Sequence, residues 1–580
     1  MTKRTLLIRD VTRSELKTDA LFPSPIWTIL AGRGVSSFEE TDYNLSRMLP
    51  VNAIRNLPEA ARLLASAIEK EQQILIFGDY DADGATSTAL CVRALKLMGH
   101  NNVSYLMPDR FIDGYGLSVS IAHKIVEAKP DCVITVDNGI ASFEGIALLR
   151  ANNIDVIVTD HHLPADELPN ANVIINQNAW PDETVGKNLA GVGVAFYLML
   201  GLRKALRDIG WFNQEGNNQQ RIEPNLASCL DLVAIGTVAD LVPLDFHNRL
   251  LVNEGLRRMR AGHCCAGIES LIEISNKQLT HVTSTDIGFS IAPKINAAGR
   301  LEDMTSGVQC LLADDQISAD GFANQLNDIN QLRKNIQQQM ADEAQLQLAK
   351  LSEPELRASL GIVLFQKGWH EGIVGIVASK VKEKYHRPCI VFAEAEDGSL
   401  KGSGRSISGI HLRDMLDVVD KRHPGIILKF GGHAMAAGLS LKADSFKLFS
   451  TAFQAVISDF ADPACFTDSI ECDGLLDSQY MNIDFAKTIQ NLTPWGQRFP
   501  SPSFVGEFEV TDSRILAQKH IKFELKANTD NASNRIEAIA FFQPTEVLEA
   551  NHQSIHIHYE LNINHFRNRE SLQLLIRDII

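Results

Sequence analysis

No C-x-x-C pair occurs anywhere in the chain, and its nine cysteines are odd in number. Cys264 and Cys265 are adjacent and cannot form an ordinary bridge. This excludes a disulfide framework and a zinc knuckle, and it points to a reducing compartment. The N-terminal residues hold no apolar run of signal-peptide length. The longest apolar stretch, Val192 to Leu202, is too short to span a bilayer. The expectation is a cytoplasmic protein with no membrane partner. Positive charge is scarce as well: 55 Lys and Arg face 71 Asp and Glu, for a net charge of −16. That balance argues against a generally adhesive nucleic-acid binder but leaves room for a local basic groove. Hydrophobic content of 45% and charged content of 22% are ordinary. At about 150 residues per domain, the 580 residues make three or four domains.

The most informative stretch is Gln73 to Gly84. Ile74, Leu75, Ile76 and Phe77 form a short apolar run that suits a buried parallel strand. Gly78 opens a turn, and Asp79, Asp81 and Asp83 follow at alternate positions. Three carboxylates so close repel one another unless a cation sits among them, and oxygen ligands suit Mg²⁺ or Mn²⁺. A solvated Asp/Gly turn gives the same letters. An EF-hand loop is disfavoured because Leu90 stands where its bidentate acid belongs. A helix from Ala85 to Met98 follows, its N-terminus favouring anions such as phosphate.

The pattern recurs. Val133 to Val136 precede Asp137-Asn138-Gly139, and Val156 to Thr159 precede Asp160-His161-His162. Helical stretches at 57–70, 118–128 and 143–152 alternate with these runs. Strands that end in Asp, separated by helices, predict an open, doubly wound parallel sheet with its ligand at the strands' carboxyl ends. One Asp after a strand is an ordinary helix cap. Three, with two histidines added, suit Mn²⁺ and its neighbours. Asp240 ends another apolar segment, Val233 to Ala239, and alone would read as a helix-end carboxylate.

Beyond residue 250 the signals change. Lys294 and Arg300 stand among small residues in the block 291–301, where close backbone approach is possible. Residues 320–352 read as one long, Gln-rich amphipathic helix, a spacer between lobes. Residues 360–445 read as a second α/β lobe, with strands at 362–365 and 389–392 and a helix at 373–384. Three Gly-rich basic segments in it, 369–372, 402–406 and 431–438, read as turns that bring backbone N–H groups to phosphates. After residue 465 the period becomes two, as in Ile555, Ile557, Tyr559, Leu561 and Ile563. A small closed barrel of OB type is the natural candidate, with a polar hairpin turn at 564–569. Such barrels bind single strands, and a purely structural β-domain is the alternative. The N-terminal 50 residues show no evident chemistry.

Four ordered segments, Asp-Tyr-Asp-Ala-Asp-Gly (79–84), Val-Asp-Asn-Gly (136–139), Asp-His-His (160–162) and Gly-Thr-Val-Ala-Asp (236–240), resemble the motifs of the DHH phosphoesterase superfamily. From about residue 50 onward the chain is similar to the bacterial RecJ family of single-strand-specific exonucleases. In several superfamily members a His stands four residues before the second Asp of the first motif; here that position is Phe77. The resemblance implies two divalent cations, Mn²⁺ or Mg²⁺, held by Asp79, Asp81, Asp83, Asp137, His161 and Asp240. Asp137 would bridge them, and His162 would contact the scissile phosphate or assist proton transfer. It further implies phosphate-binding roles for Arg110, Lys294, Arg300, Ser403, Arg405 and His433. The implied layout is an N-terminal extension (1–50), a parallel-sheet DHH domain (51–319), a connector helix (320–352), a DHHA1 α/β domain (353–464) and an OB-like barrel (465–580). The implied activity is 5′→3′ exonucleolytic release of 5′-mononucleotides from single-stranded DNA in recombination and repair. The implied partners of this monomer are a single-strand-binding protein and a RecQ-type helicase. A small-substrate DHH phosphodiesterase, acting on a cyclic dinucleotide, short oligonucleotide or pyrophosphate, is the alternative, and a non-catalytic replication scaffold is a third reading.

Overall fold

A computed structural model describes all residues except 1–3, 12–22, 214, 217–218, 352–358, 518–519, 528–534, 542–552 and 567–568. Residue 352 of the expected connector and residues 567–568 of the expected hairpin turn lie outside the described residues. The chain divides into two compact units: residues 8–327 with 472–580, and residues 1–7 with 328–471.

The first unit is built on five parallel strands: β1 (Ile74–Phe77), β2 (Val103–Leu106), β3 (Cys132–Val136), β4 (Asp155–Thr159) and β5 (Val173–Ile175). Their spatial order is β2-β1-β3-β4-β5. The four residues of β1 and the five of β3 are all buried, so the apolar runs pack on both faces, as doubly wound sheets require. From β1 the chain steps to one side to form β2 and then crosses back to form β3. That reversal opens a crevice beyond the carboxyl ends of β1 and β3, the place where such folds bind ligands.

Helix α1 (Ala82–Leu97) starts three residues earlier than expected. Asp81 is its cap, accepting from the amides of Asp83 at 2.9 Å and Gly84 at 3.0 Å. The apolar stretch at 192–202 is the buried part of α2 (Gly191–Asp208), a core helix. Helix α3 (Leu230–Ala239) is apolar all round and buried, with Asp240 at its C-terminal end. Within the block 291–301, residues 292–301 form helix α4. The small residues do permit close approach: a Cβ at Gly299 would lie 1.8 Å from the Tyr80 carbonyl oxygen, which brings α4 against the first Asp motif. Helix α5 (Gln316–Leu348) is the long helix expected at 320–352, and its residues belong partly to each unit.

The second unit carries β6 (Ile362–Phe365), α6 (Val374–Tyr385), β7 (Cys389–Glu394), β8 (Ser399–Arg405), β9 (Ile427–Gly432) and β10 (Ala436–Lys442). The sheet order is β9-β10-β8-β7-β6. The expected turn at 402–406 is for the most part strand β8, paired on both sides. Its glycines are read wrongly as a turn from sequence because they serve packing: a Cβ at Gly402 would lie 2.4 Å from the Phe392 ring. The segment 431–438 is the end of β9, a short turn and the start of β10.

The C-terminal strands β11 (Phe504–Leu516), β12 (His520–Ala527), β13 (Arg535–Phe541), β14 (Ser554–Phe566) and β15 (Arg569–Ile579) close into a barrel in the order β11-β12-β13-β15-β14. The barrel belongs to the same compact unit as the parallel sheet, and one apolar cluster runs through both, from Ile74 to Phe504 and Tyr559. The N-terminal extension joins them. Arg33 donates to Asp473 at 2.7 and 2.9 Å and to the Pro500 carbonyl at 2.7 Å. No helix among the described residues is long and apolar enough to cross a membrane.

Candidate metal centre

The Asp residues after β1 and β3 and His161 after β4 meet the Asp at the end of α3. Asp83 is turned inward by the start of α2, whose Gly191 and Val192 amides donate to its two oxygens at 2.6 and 2.9 Å. A helix N-terminus stabilises an anion there. Asp137 sits in the left-handed region at φ 62, which Asp tolerates. Asn138 beside it ties the strand ends together, donating to the Phe77 and Val136 carbonyls. His161 places Nε2 3.1 Å from Asp137 Oδ1 and 3.4 Å from Asp240 Oδ2.

Three overlapping donor groups result, one of them Asp137, His161 and His162. Asp79, Asp81 and Asp137 each offer an oxygen within 4.8 Å of the others, and Asp83, His161 and Asp240 likewise each offer one donor atom. Asp137 Oδ1 and His161 Nε2 touch, so the two groups are neighbours. Phe77 is fully buried in the apolar cluster on one face of the sheet and offers no ligand. Whether the donors fit cations is answered by three buried atoms. Asp79 Oδ1, Asp137 Oδ1 and His161 Nε2 have no hydrogen-bond partner. Buried acceptors left without donors are costly, and all three belong to the donor groups. Oxygen and imidazole donors in this number suit Mn²⁺ and Mg²⁺.

The electrostatics agree. Burial, and then neighbouring carboxylates, push the Asp79, Asp137 and Asp240 carboxyls well above their usual range. Burial and Asp81 push Asp83 up to about 7. Burial, reinforced by His162, lowers His161 to about 4, which keeps its imidazole neutral and able to coordinate. His162 behaves oppositely. Burial works against its charge, but the hydrogen bond and charge of Asp160 outweigh that and carry it up to about 9.

The role of Asp160 is therefore misread from sequence, where it counts with the metal donors; in the structure it belongs to none of the donor groups. It accepts from the His161 and His162 amides, from His162 Nδ1 at 2.8 Å and from the Ile140 amide. It orients His162, whose ring also meets the Tyr115 hydroxyl at 3.2 Å. The signal was present: Asp160 opens the quoted Asp-His-His triplet. Asn296 was missed. Its side chain accepts from the Ala82 amide at 2.8 Å and so anchors the Asp motif to α4.

The expected phosphate-binding residues fall in separate places. Arg110 lies 4.8 Å over the Tyr80 ring. Burial and Asp79 push the Tyr80 phenol up to about 12, and Arg110 and Arg300 pull against them. Lys294 is buried, its ammonium donating to Ser275 Oγ at 2.7 Å and the Ser290 carbonyl at 2.8 Å, so packing accounts for much of it. In the second unit, Arg405 donates to Ser403 Oγ at 3.0 Å. A Cβ at Gly375, in the first turn of α6, would lie 2.9 Å from Ser403 Oγ and 3.0 Å from the Arg405 guanidinium. Ser403, Arg405 and a helix N-terminus thus converge. His433 lies in the β9–β10 turn, and its amide donates to the Ala436 carbonyl at 2.8 Å.

A parallel sheet carrying paired carboxylate–histidine donor groups at its switch point defines a metal-dependent phosphoesterase. Family models agree: "DHH family, N-terminal domain" matches residues 73–237, "DHHA1 domain" 359–459 and "RecJ OB domain" 472–578. The chain belongs to the RecJ family. It is 44% identical to the single-stranded-DNA-specific exonuclease RecJ of Escherichia coli, covering 97% of this chain and 96% of that one. It is 43% identical to the Salmonella typhimurium protein of the same name, covering 98% and 99%. The crystal structure of RecJ in complex with Mn²⁺ from Thermus thermophilus matches 96% of this chain and 76% of its own, with TM-score 0.78 and 28% identity. The Mg²⁺ complex from the same organism matches with TM-score 0.72 and 26% identity, covering 96% of this chain and 74% of its own.

Proposed function

We propose that this chain is a single-stranded-DNA-specific 5′→3′ exonuclease that releases 5′-mononucleotides and serves recombination and repair. The single observation that carries the reading is the meeting of Asp79, Asp81, Asp83, Asp137, His161 and Asp240 at one switch point, with three buried donor atoms left without hydrogen bonds. Asp79, Asp81 and Asp137 would hold one cation, Asp83, His161 and Asp240 the other, with Asp137 shared. Two bound cations would activate water and neutralise charge on the phosphoryl oxygens in an in-line displacement. The chain's own part is placement. The α2 amides aim Asp83, and Asp160 keeps His162 charged, where an imidazolium can bind a phosphate oxygen or protonate a leaving oxygen. In the first unit Arg110 and Arg300, and in the second Ser403, Arg405 and His433, would each contact nucleotide phosphates, Arg405 bidentately; the Lys294 ammonium is instead held by Ser275 and Ser290.

The five-part division stands as a proposal in adjusted form, with the connector at 316–348. Cytoplasmic residence rests on the cysteine pattern and the short apolar runs; a monomeric state and contact with a single-strand-binding protein and a RecQ-type helicase rest on the resemblance. The test uses end-labelled oligonucleotides of several lengths, with and without Mn²⁺ or Mg²⁺. Stepwise shortening of single strands from the 5′ end, resistance of blunt duplex and rescue by a 5′ tail are expected. Cleavage confined to dinucleotides would favour a small-substrate phosphodiesterase instead.

A further inference from the structure

We infer that His281, His565 and Glu570 form a second metal site, for a single zinc-class transition ion, that ties the C-terminal barrel to the parallel-sheet core. It shares no residue with the catalytic centre.

His281 ends a short helical turn, Leu279–His281, in the core. His565 and Glu570 oppose each other across the β14–β15 ladder of the barrel. The two imidazoles come from residues far apart in sequence, yet their ring centres are 4.8 Å apart. One donor atom from each of the three residues lies within 4.8 Å of the other two. Two imidazoles and one carboxylate make a borderline donor set. It suits Zn²⁺ and its neighbours and is poor for Mg²⁺ or Ca²⁺, which prefer all-oxygen shells. Zinc holds such ligands at about 2.0–2.2 Å, so its donors stand about 3.5 Å apart. The three side chains are exposed and free to close that difference by small rotamer changes.

A second observation concerns the other polar atoms. A metal-ligating histidine nearly always has its remaining ring nitrogen held by a neighbour. His281 Nδ1 lies 2.8 Å from Thr280 Oγ1, which leaves Nε2 for an ion. Glu570 Oε2 lies 2.5 Å from Lys487 Nζ, while Oε1 faces His565 Nδ1 at 3.5 Å. With Oε2 engaged by Lys487, Oε1 is the oxygen that faces the histidines. Beneath this group lies a polar cavity of about 480 Å³ between core and barrel. Arg260 and Asn276 line it from the core and Asn562 and Arg577 from the barrel, with His281 and His565 at its edge. An ion held by His281, His565 and Glu570 would fasten core to barrel beside this cavity.

The test equilibrates the full chain with micromolar Zn²⁺ under a large excess of Mn²⁺, removes free metal and counts zinc by elemental analysis. Wild type should keep one zinc ion per chain more than His281→Ala or His565→Ala, while Mn²⁺-supported exonuclease turnover is the same in all three. Zinc should also raise the thermal midpoint of wild type and leave that of both variants unmoved. Equal zinc content in the three proteins would overturn the site. So would a zinc loss accompanied by loss of Mn²⁺-supported turnover, since the ion would then belong to the catalytic centre.

Discussion

Gly191→Ala isolates geometry from ligand chemistry. Gly191 supplies no side chain to the centre, but a Cβ there would lie 2.6 Å from both Asp137 Cβ and Oδ1. Ordinary contact begins at 3.4 Å, so Asp137 or the start of α2 must yield by about 0.8 Å. The displaced group is the carboxylate that belongs to the Asp79–Asp81 donor group and touches His161 at 3.1 Å, and the Gly191 amide that aims Asp83 moves with it. A misplacement near 1 Å costs about 10²-fold in rate, or about 2.7 kcal/mol of barrier. Overpacking a buried site costs about 1–3 kcal/mol, so the midpoint should fall by a few degrees while the protein stays folded at the assay temperature. The assay is single-turnover cleavage of an end-labelled single strand at saturating Mn²⁺, with thermal unfolding followed by circular dichroism. A loss of about 10²-fold in a protein still folded at the assay temperature is expected. Near-normal turnover in a correctly folded Gly191→Ala protein would refute the claim that Asp137 must occupy this place.

Replacing Asp83, Asp137, His161 or Asp240 with Ala should cut hydrolysis by at least about 10³-fold while single-strand binding stays measurable by fluorescence anisotropy, because each removes a charge-placing ligand. Asp160→Asn should slow single-turnover cleavage by about 10²-fold with little change in DNA affinity, since it removes the charge that keeps His162 protonated while every donor side chain is retained. Arg405→Ala should lower the rate even at saturating DNA, as expected of a phosphate-positioning contact, and a pure affinity defect would contradict that role. Arg33→Ala should cost less in urea unfolding than the about 3–5 kcal/mol of an unpaired buried charge, since Asp473 loses its bidentate partner but keeps Arg9 at 3.4 Å. An unchanged urea midpoint in Arg33→Ala would show that the junction does not depend on this pair.

What the sequence by itself determined is local. Apolar runs of four or five residues followed by Asp announced three strands and their carboxyl-end ligands within a residue at each boundary, because pleat, burial and turn chemistry act over a few neighbours. The alternating residues after 555 announced the barrel in the same way. The tertiary structure decided everything that depends on long-range closure. Asp83 points inward because Gly191 and Val192, more than a hundred residues later, offer it two amides. Asp240 is an ordinary helix end in the chain and becomes part of the centre only because α3 ends beside His161. Glycines at 402 and 404 carry the same letters whether they make a turn or relieve a crowded strand, and only the Phe392 and Leu412 side chains across from them distinguish the two. Asn296, Arg33 and the His281–His565 pair leave no periodic trace at all. Their partners are brought to them by packing between elements, which no short window of sequence contains.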